Sequence, residues 1–262
     1  MKHLSARNYQ RILLIVLSLW IPGICFGQDS TGRGDTLNFR GEINVTNNGF
    51  SFIPAFALNR PAATLDIGLG WKRFSFEPQF RFSLDGEPWG FIFIYRYKMI
   101  ARRKFQLLLG SHLPGMPFKR KTTTSPGGVT TDELVVNRYI VGELIPTYWI
   151  TRQINVGMYY SYAHGAEKEA IQNGHFISMR AGFSNVVLSK HFRMNFAPQF
   201  FYMKLDERDG YYFSANLSIS KTNFPISVGS ATYNAFRSDV AGKAFDWNVS
   251  LIYAVSRKYA SQ

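Results

Sequence analysis

The chain is poor in almost everything that stabilises or arms a small exported domain. It has one cysteine in 262 residues, Cys25. That excludes a disulfide framework, a Cys-ligated metal site and, downstream of that position, a thiol nucleophile. Acidic residues are scarce, with 17 Asp and Glu against 30 Lys and Arg. No apolar run approaches the ~20 residues of a membrane-crossing helix. No paired-ligand spacing is present: His175 and His191 stand apart with no partner at metal-site spacing. No nucleic-acid motif accompanies the positive charge, so nucleic acid is not an expected partner. No cofactor is implied.

What is present begins with the first 27 residues. Lys2, Arg7 and Arg11 precede an apolar run from Ile12 to Ile21, Pro22 and Gly23 break it, and Cys25-Phe26-Gly27 supplies small residues at alternate positions. This is the layout of a secretory signal peptide cleaved after Gly27. The run is about half the length of a membrane anchor, and Ile24 argues against a lipid-modified Cys25. Cleavage leaves 27 basic residues against 17 acidic ones, a balance suited to anionic lipid head groups and lipopolysaccharide.

From residue 49 onward the chain alternates with period two, the signature of strands. Phe74, Phe76, Pro78, Phe80 and Phe82 fall on one face, with Ser75, Glu77, Gln79, Arg81 and Ser83 on the other. Phe192, Met194, Phe196, Pro198 and Phe200 oppose Arg193, Asn195, Ala197 and Gln199. Strands are expected at 49–58, 62–72, 73–84, 88–98, 103–112, 134–149, 152–163, 174–184, 190–204, 210–220, 224–233 and 244–257. Most match the ~9–11 residues of a tilted membrane strand rather than the ~5–6 of a soluble one. Aromatics cluster near segment ends (Trp71, Trp89, Tyr97, Trp149, Tyr162, Tyr202, Tyr211), as in interfacial girdles. Connections alternate between tight and mostly longer, and twelve is an even count, which places both termini on the tight-turn side. An aromatic-x-Pro-x-aromatic echo at Pro54, Pro78 and Pro198 is read as strand chemistry with a bulge or bend at each proline.

These features together resemble outer-membrane β-barrel proteins of Gram-negative bacteria, over about residues 37–262. The resemblance implies an all-β, antiparallel transmembrane barrel of about 12 strands (10–14), placed in the outer membrane by the barrel-assembly machinery. Many such proteins end on an aromatic residue; here the last aromatic is Tyr259, followed by Ala260-Ser261-Gln262. The expected partition is a signal peptide at 1–27, a periplasmic lead-in at 28–48 and a barrel at 49–262. Within the lead-in, 37–46 is extended and reads as lead-in, first strand or lumen insert.

Glu77, Arg81, Arg96, Glu143, Arg180, Arg193, Gln199, Asn216 and Asp246 are expected to line the lumen. They suit either a polar small-solute path or a self-satisfied ion network that fills the interior. Loop 113–133, with Lys119-Arg120-Lys121 and Pro126-Gly127-Gly128, suits a lipopolysaccharide contact, an inward constriction or a solvated loop. The expected function is a non-enzymatic structural or small-solute channel protein. One alternative is a rim hydrolase acting on lipid, for which Ser111 with His112, Ser161 with His164, and Asp206 or Asp209 are the available groups. A soluble periplasmic barrel that binds a ligand is the other.

Overall fold

The computed structural model describes residues 36–124 and 130–260; the expected signal peptide and Pro126-Gly127-Gly128 lie outside the described residues. The described residues form thirteen strands: β1 (Thr36–Thr46), β2 (Ala62–Trp71), β3 (Phe74–Ser83), β4 (Pro88–Ala101), β5 (Phe105–Thr124), β6 (Thr130–Val136), β7 (Tyr139–Trp149), β8 (Ile154–Gly165), β9 (Asn173–Val187), β10 (Phe192–Leu205), β11 (Arg208–Lys221), β12 (Ile226–Ser238) and β13 (Phe245–Ala260). Twelve of them form a closed antiparallel barrel: each pairs with its neighbour, and β1 pairs with β13 from Thr36↔Ala260 to Thr46↔Ser250. Closure leaves no sheet edge in the wall, the condition for an open-backbone element to live in lipid. The thirteenth strand, β6, pairs only with the far half of β5, from Phe118↔Val136 to Thr124↔Thr130. The two make a hairpin that rises beyond the barrel.

The alternation places one set of side chains outward. Leu65, Phe74, Leu144, Met179, Phe200, Phe236, Trp247 and Leu251 are all exposed there. A soluble monomer rarely exposes a contiguous apolar patch of more than a few hundred Å²; an apolar band running around the whole barrel is a surface made for a bilayer. No helix of the described residues is long and apolar enough to cross a membrane.

Two ends differ. At one, the turns are tight: Lys72-Arg73, Arg102–Lys104, Ile150–Gln153, Leu188–His191 and Thr222–Pro225. Lys72 takes a left-handed φ of 53° and Asn223 one of 61° to make their turns. At the other end lie segments 47–61, the β5–β6 hairpin, 166–172 and 239–244, with a two-residue turn at Asp206-Glu207.

The strand count of twelve holds, but its first member is corrected. Residues 49–58 are not a strand; they form an inserted loop with a single 3-10 turn, Pro54–Phe56. The barrel instead starts at β1, within the stretch expected as lead-in, and 36–46 supplies the ladder for both β2 and β13. The alternating Phe50, Phe52, Pro54 and Phe56 do seek burial, but they find it inside the barrel. Loop 113–133 also differs: the described part is hairpin, where Thr123 and Thr124 meet Thr131 and Thr130 in a β-branched ladder and Thr122 meets Asp132. At Pro78 there is no bulge. The β2–β3 register runs from Asp66↔Gln79 to Leu69↔Phe76 without a shift, and the ladder skips the proline, which has no N–H to give. Near Pro198 an irregularity lies between Met194 and Phe196.

Candidate functional site

The inward face of the barrel carries the polar side chains of the wall, mixed with apolar ones such as Ile94, Ile145, Phe201 and Met203. Three of the expected lining residues meet in one cluster. Arg96 on β4 reaches Glu143 on β7 (Nε–Oε2 2.9 Å) and also pairs with Glu77 on β3. His112 Nε2 lies 2.8 Å from Glu143 Oε1, and the Tyr159 hydroxyl donates to the same oxygen at 2.8 Å. The Glu143 side chain is 1% exposed, so its charge is balanced by neighbours rather than by solvent. Gly110 makes room: a Cβ there would stand 2.5 Å from Glu143 Oε2.

The other expected residues are spread over the wall. Arg81 donates to Gln79 Oε1 at 2.8 Å and lies over the Trp89 ring at 5.4 Å. Arg180, Gln199 and Ser214 occupy one cross-strand row on β9, β10 and β11, with Asn216 one step along. Arg193 stands opposite Ser220 toward the tight-turn end. Asp246 faces inward at the long-loop end, between the exposed Phe245 and Trp247; it accepts from Asn48 Nδ2 at 2.9 Å and pairs with Lys243 at 3.3 Å, fixing the root of the inserted loop.

That loop, residues 47–61, packs into the barrel at the long-loop end. Phe50, Phe52, Ile53 and Ala55 pack against Phe201, Met203, Tyr212 and Tyr233 on the inner wall and against Val240 of segment 239–244. Phe56 lies tilted against Tyr139, with ring centroids 5.7 Å apart. The Trp89 indole donates to the Phe56 carbonyl at 2.8 Å. The loop pinches itself through Gly49 N to Arg60 O at 2.7 Å and Leu58 N to Gly49 O at 2.8 Å. A Cβ at Gly49 would come 2.5 Å from Leu58 Cβ, and one at Gly242 (φ 131°) would collide with Pro54. Both glycines are therefore demanded by the stopper. The sequence pattern of this segment gave a strand; only the surplus of a thirteenth apolar stretch hinted that one piece would be spent inside.

The stopper is tied down from outside. Arg60, within it, pairs with Asp85 at 3.0 Å and with Glu87. Glu87 is also held by Arg120 of the hairpin, whose other partner is Asp132 at 3.5 Å. Lys119 lies over the Phe56 ring at 5.0 Å, and Lys121 pairs with Glu169 at 3.1 Å. The basic run Lys119-Arg120-Lys121 is thus engaged within the protein, and its hairpin does not fold into the lumen. The Arg60 hydrogen bond, with Arg120 beside it, holds the Glu87 carboxyl below the usual carboxylate range. In segment 166–172, the Arg138 backbone N–H and side chain do the same for Glu167.

The groups considered for a hydrolase do not assemble. Ser111 and His112 point to opposite faces of β5, and His112 is committed to Glu143. Ser161 faces inward on β8, whereas His164 bonds the Gln172 carbonyl at 2.7 Å. Asp206 accepts from the backbone of Gln172 and Asn173, and Asp209 from the Tyr202 hydroxyl.

At the tight-turn end the lumen opens into a cavity of about 550 Å³ between β1, β2, β3 and β13.

No protein-family model and no curated protein matches the sequence. Among solved structures, the chain is similar to the KdgM porin (12% identity, 83% of this chain and 98% of that one, TM-score 0.48). It is also similar to LpxR from Salmonella typhimurium (9%, 82% and 99%, TM-score 0.46) and to the NanC porin (15%, 86% and 100%, TM-score 0.43). The barrel assignment rests on the chain's own strand pairing and closure.

Proposed function

We propose that the protein is an outer-membrane barrel, inserted with its tight turns toward the periplasm, that acts as a small-solute channel held shut by its own first loop. One observation carries this reading. Residues 47–61 lie inside an otherwise complete barrel and set aromatic side chains against the inner wall at one end, while a cavity with polar inward-facing side chains lies at the other. A cavity at one mouth and a loop held at the other rim by exposed ion pairs suit a gated path better than a solid barrel. The dispersal of Ser111, His112, Ser161, His164, Asp206 and Asp209 favours transport over hydrolysis.

The test is planar-bilayer conductance. The chain from Gln28 should insert stably and show few or no current steps. Replacing 50–58 by a short Gly-Ser linker should produce regular steps. Large steps in the unaltered chain that persist unchanged in the variant would overturn the reading, as would silence in a variant whose barrel is intact by heat-modifiable gel mobility. A milder variant, Phe52→Ser with Phe56→Ser, should give brief openings and covers the case in which the linker variant does not assemble.

A further inference from the structure

The cavity at the tight-turn mouth has a chemistry of its own. Its inward lining comprises Asn38 and Arg40 of β1, Ser75 and Glu77 of β3, and Ser256 and Lys258 of β13. Gly68 and Gly70 of β2, opposite Arg40 and Asn38, keep that side of the wall flat and the space open. Register puts Lys258 beside Asn38 and Ser256 beside Arg40. The two cations are therefore diagonal neighbours on one face, about 7–8 Å apart at their stems and within mutual reach of one small ion. Neither forms an ion pair or a side-chain hydrogen bond among the described residues. The one carboxylate of the lining, Glu77, is taken up by Arg96 and by the Ser75 hydroxyl (2.7 Å). The next acids, Glu42 and Asp66, stand one step deeper, face each other across β1 and β2, and lie outside the lining; they offset part of the Arg40 charge through space without an ion pair to it, and Lys258 has no such neighbour among the described residues. Two adjacent cations in a partly enclosed mouth repel each other, and an anion between them would relieve that repulsion. The volume lies within the ~300–1,000 Å³ of ordinary small-molecule sites.

We propose that this vestibule binds a small organic anion, with its phosphate or carboxylate group held between Arg40 and Lys258 and its body contacting Asn38, Ser75 and Ser256. This names the solute class of the channel proposed above and rests on that reading for its purpose, but not for its test.

The test is calorimetric titration of the chain from Gln28 in nonionic detergent, at low ionic strength, with inorganic phosphate and with succinate as probes. The micelle removes lipid phosphate as a competitor. One saturable site is expected, with affinity for both probes falling about tenfold in Arg40→Gln/Lys258→Gln and little changed in Lys121→Gln, a rim cation far from the mouth. Absence of saturable binding, or equal affinity in the double variant with its barrel intact, would overturn the proposal. Binding without conductance in the stopper-free variant would sink the channel reading and leave the site; conductance without binding would do the reverse.

Discussion

At the scale of the residue, Glu143 decides more than any other side chain. It is the shared acceptor for Arg96, His112 and Tyr159, so removing it leaves the half-buried Tyr159 hydroxyl without its acceptor and Arg96 with Glu77 alone. Glu143→Ala should cost about 3–5 kcal/mol, the range for breaking a buried pair by deleting one partner. Urea unfolding in lipid vesicles measures it. Gly110→Ala should reproduce much of the loss without touching a charge, by pushing the carboxylate off its partners. The residue types of this cluster were legible in sequence, since Glu77, Arg96 and Glu143 all sit at polar positions of alternating strands. Their convergence was not, because it depends on register across four strands, and His112 was read as a rim residue for the same reason.

At the scale of the element, the stopper and its latch are where sequence pattern and structure part. Residues 49–58 carry the same alternation as β3 and β10, and nothing local distinguishes an apolar face turned to lipid from one turned to a lumen. What separates them is the number of places in the ring: β1 takes the first, and the next apolar segment has to fold inside. The hairpin was likewise read as a loop, because turn residues at its tip mask the β-branched run on either side. The latch carries a pH dependence. Glu87 is held below its ordinary value, so its contribution is present above the usual carboxylate range and lost as pH falls through the lowered folded value. Acidification should therefore raise the frequency of openings in single-channel records. Glu87→Gln should show more openings at neutral pH and a weaker response to acid. High salt should act in the same direction as acid, since these pairs are solvent-exposed.

At the scale of the whole molecule, the two faces of the wall predict opposite responses to the same chemistry. Met179, near the middle of β9, points outward and is 68% exposed. Met179→Arg should cost about 2–4 kcal/mol if the band lies in hydrocarbon. Asn216→Arg, on the lumen side of β11, should cost much less. Equal losses in urea titrations of vesicle-inserted protein would mean that the apolar face does not meet lipid. The strands themselves and the division of each into an apolar and a polar face were the parts most legible in sequence, because a period of two is a property of every strand separately; which face meets lipid is not, and strand length had to carry it.

The seam between β1 and β13 joins residues that are far apart in the chain, Thr46 to Ser250 among them, and the stopper depends on Phe201, Tyr212 and Tyr233 from late strands. Contacts of such long sequence separation form slowly, because chain must be gathered before they repay it. The ring therefore stays an open ribbon, with the free edge of β1 waiting, until the final strand arrives. The cap that the first loop provides is among the earliest pieces to be synthesised and among the last to be seated.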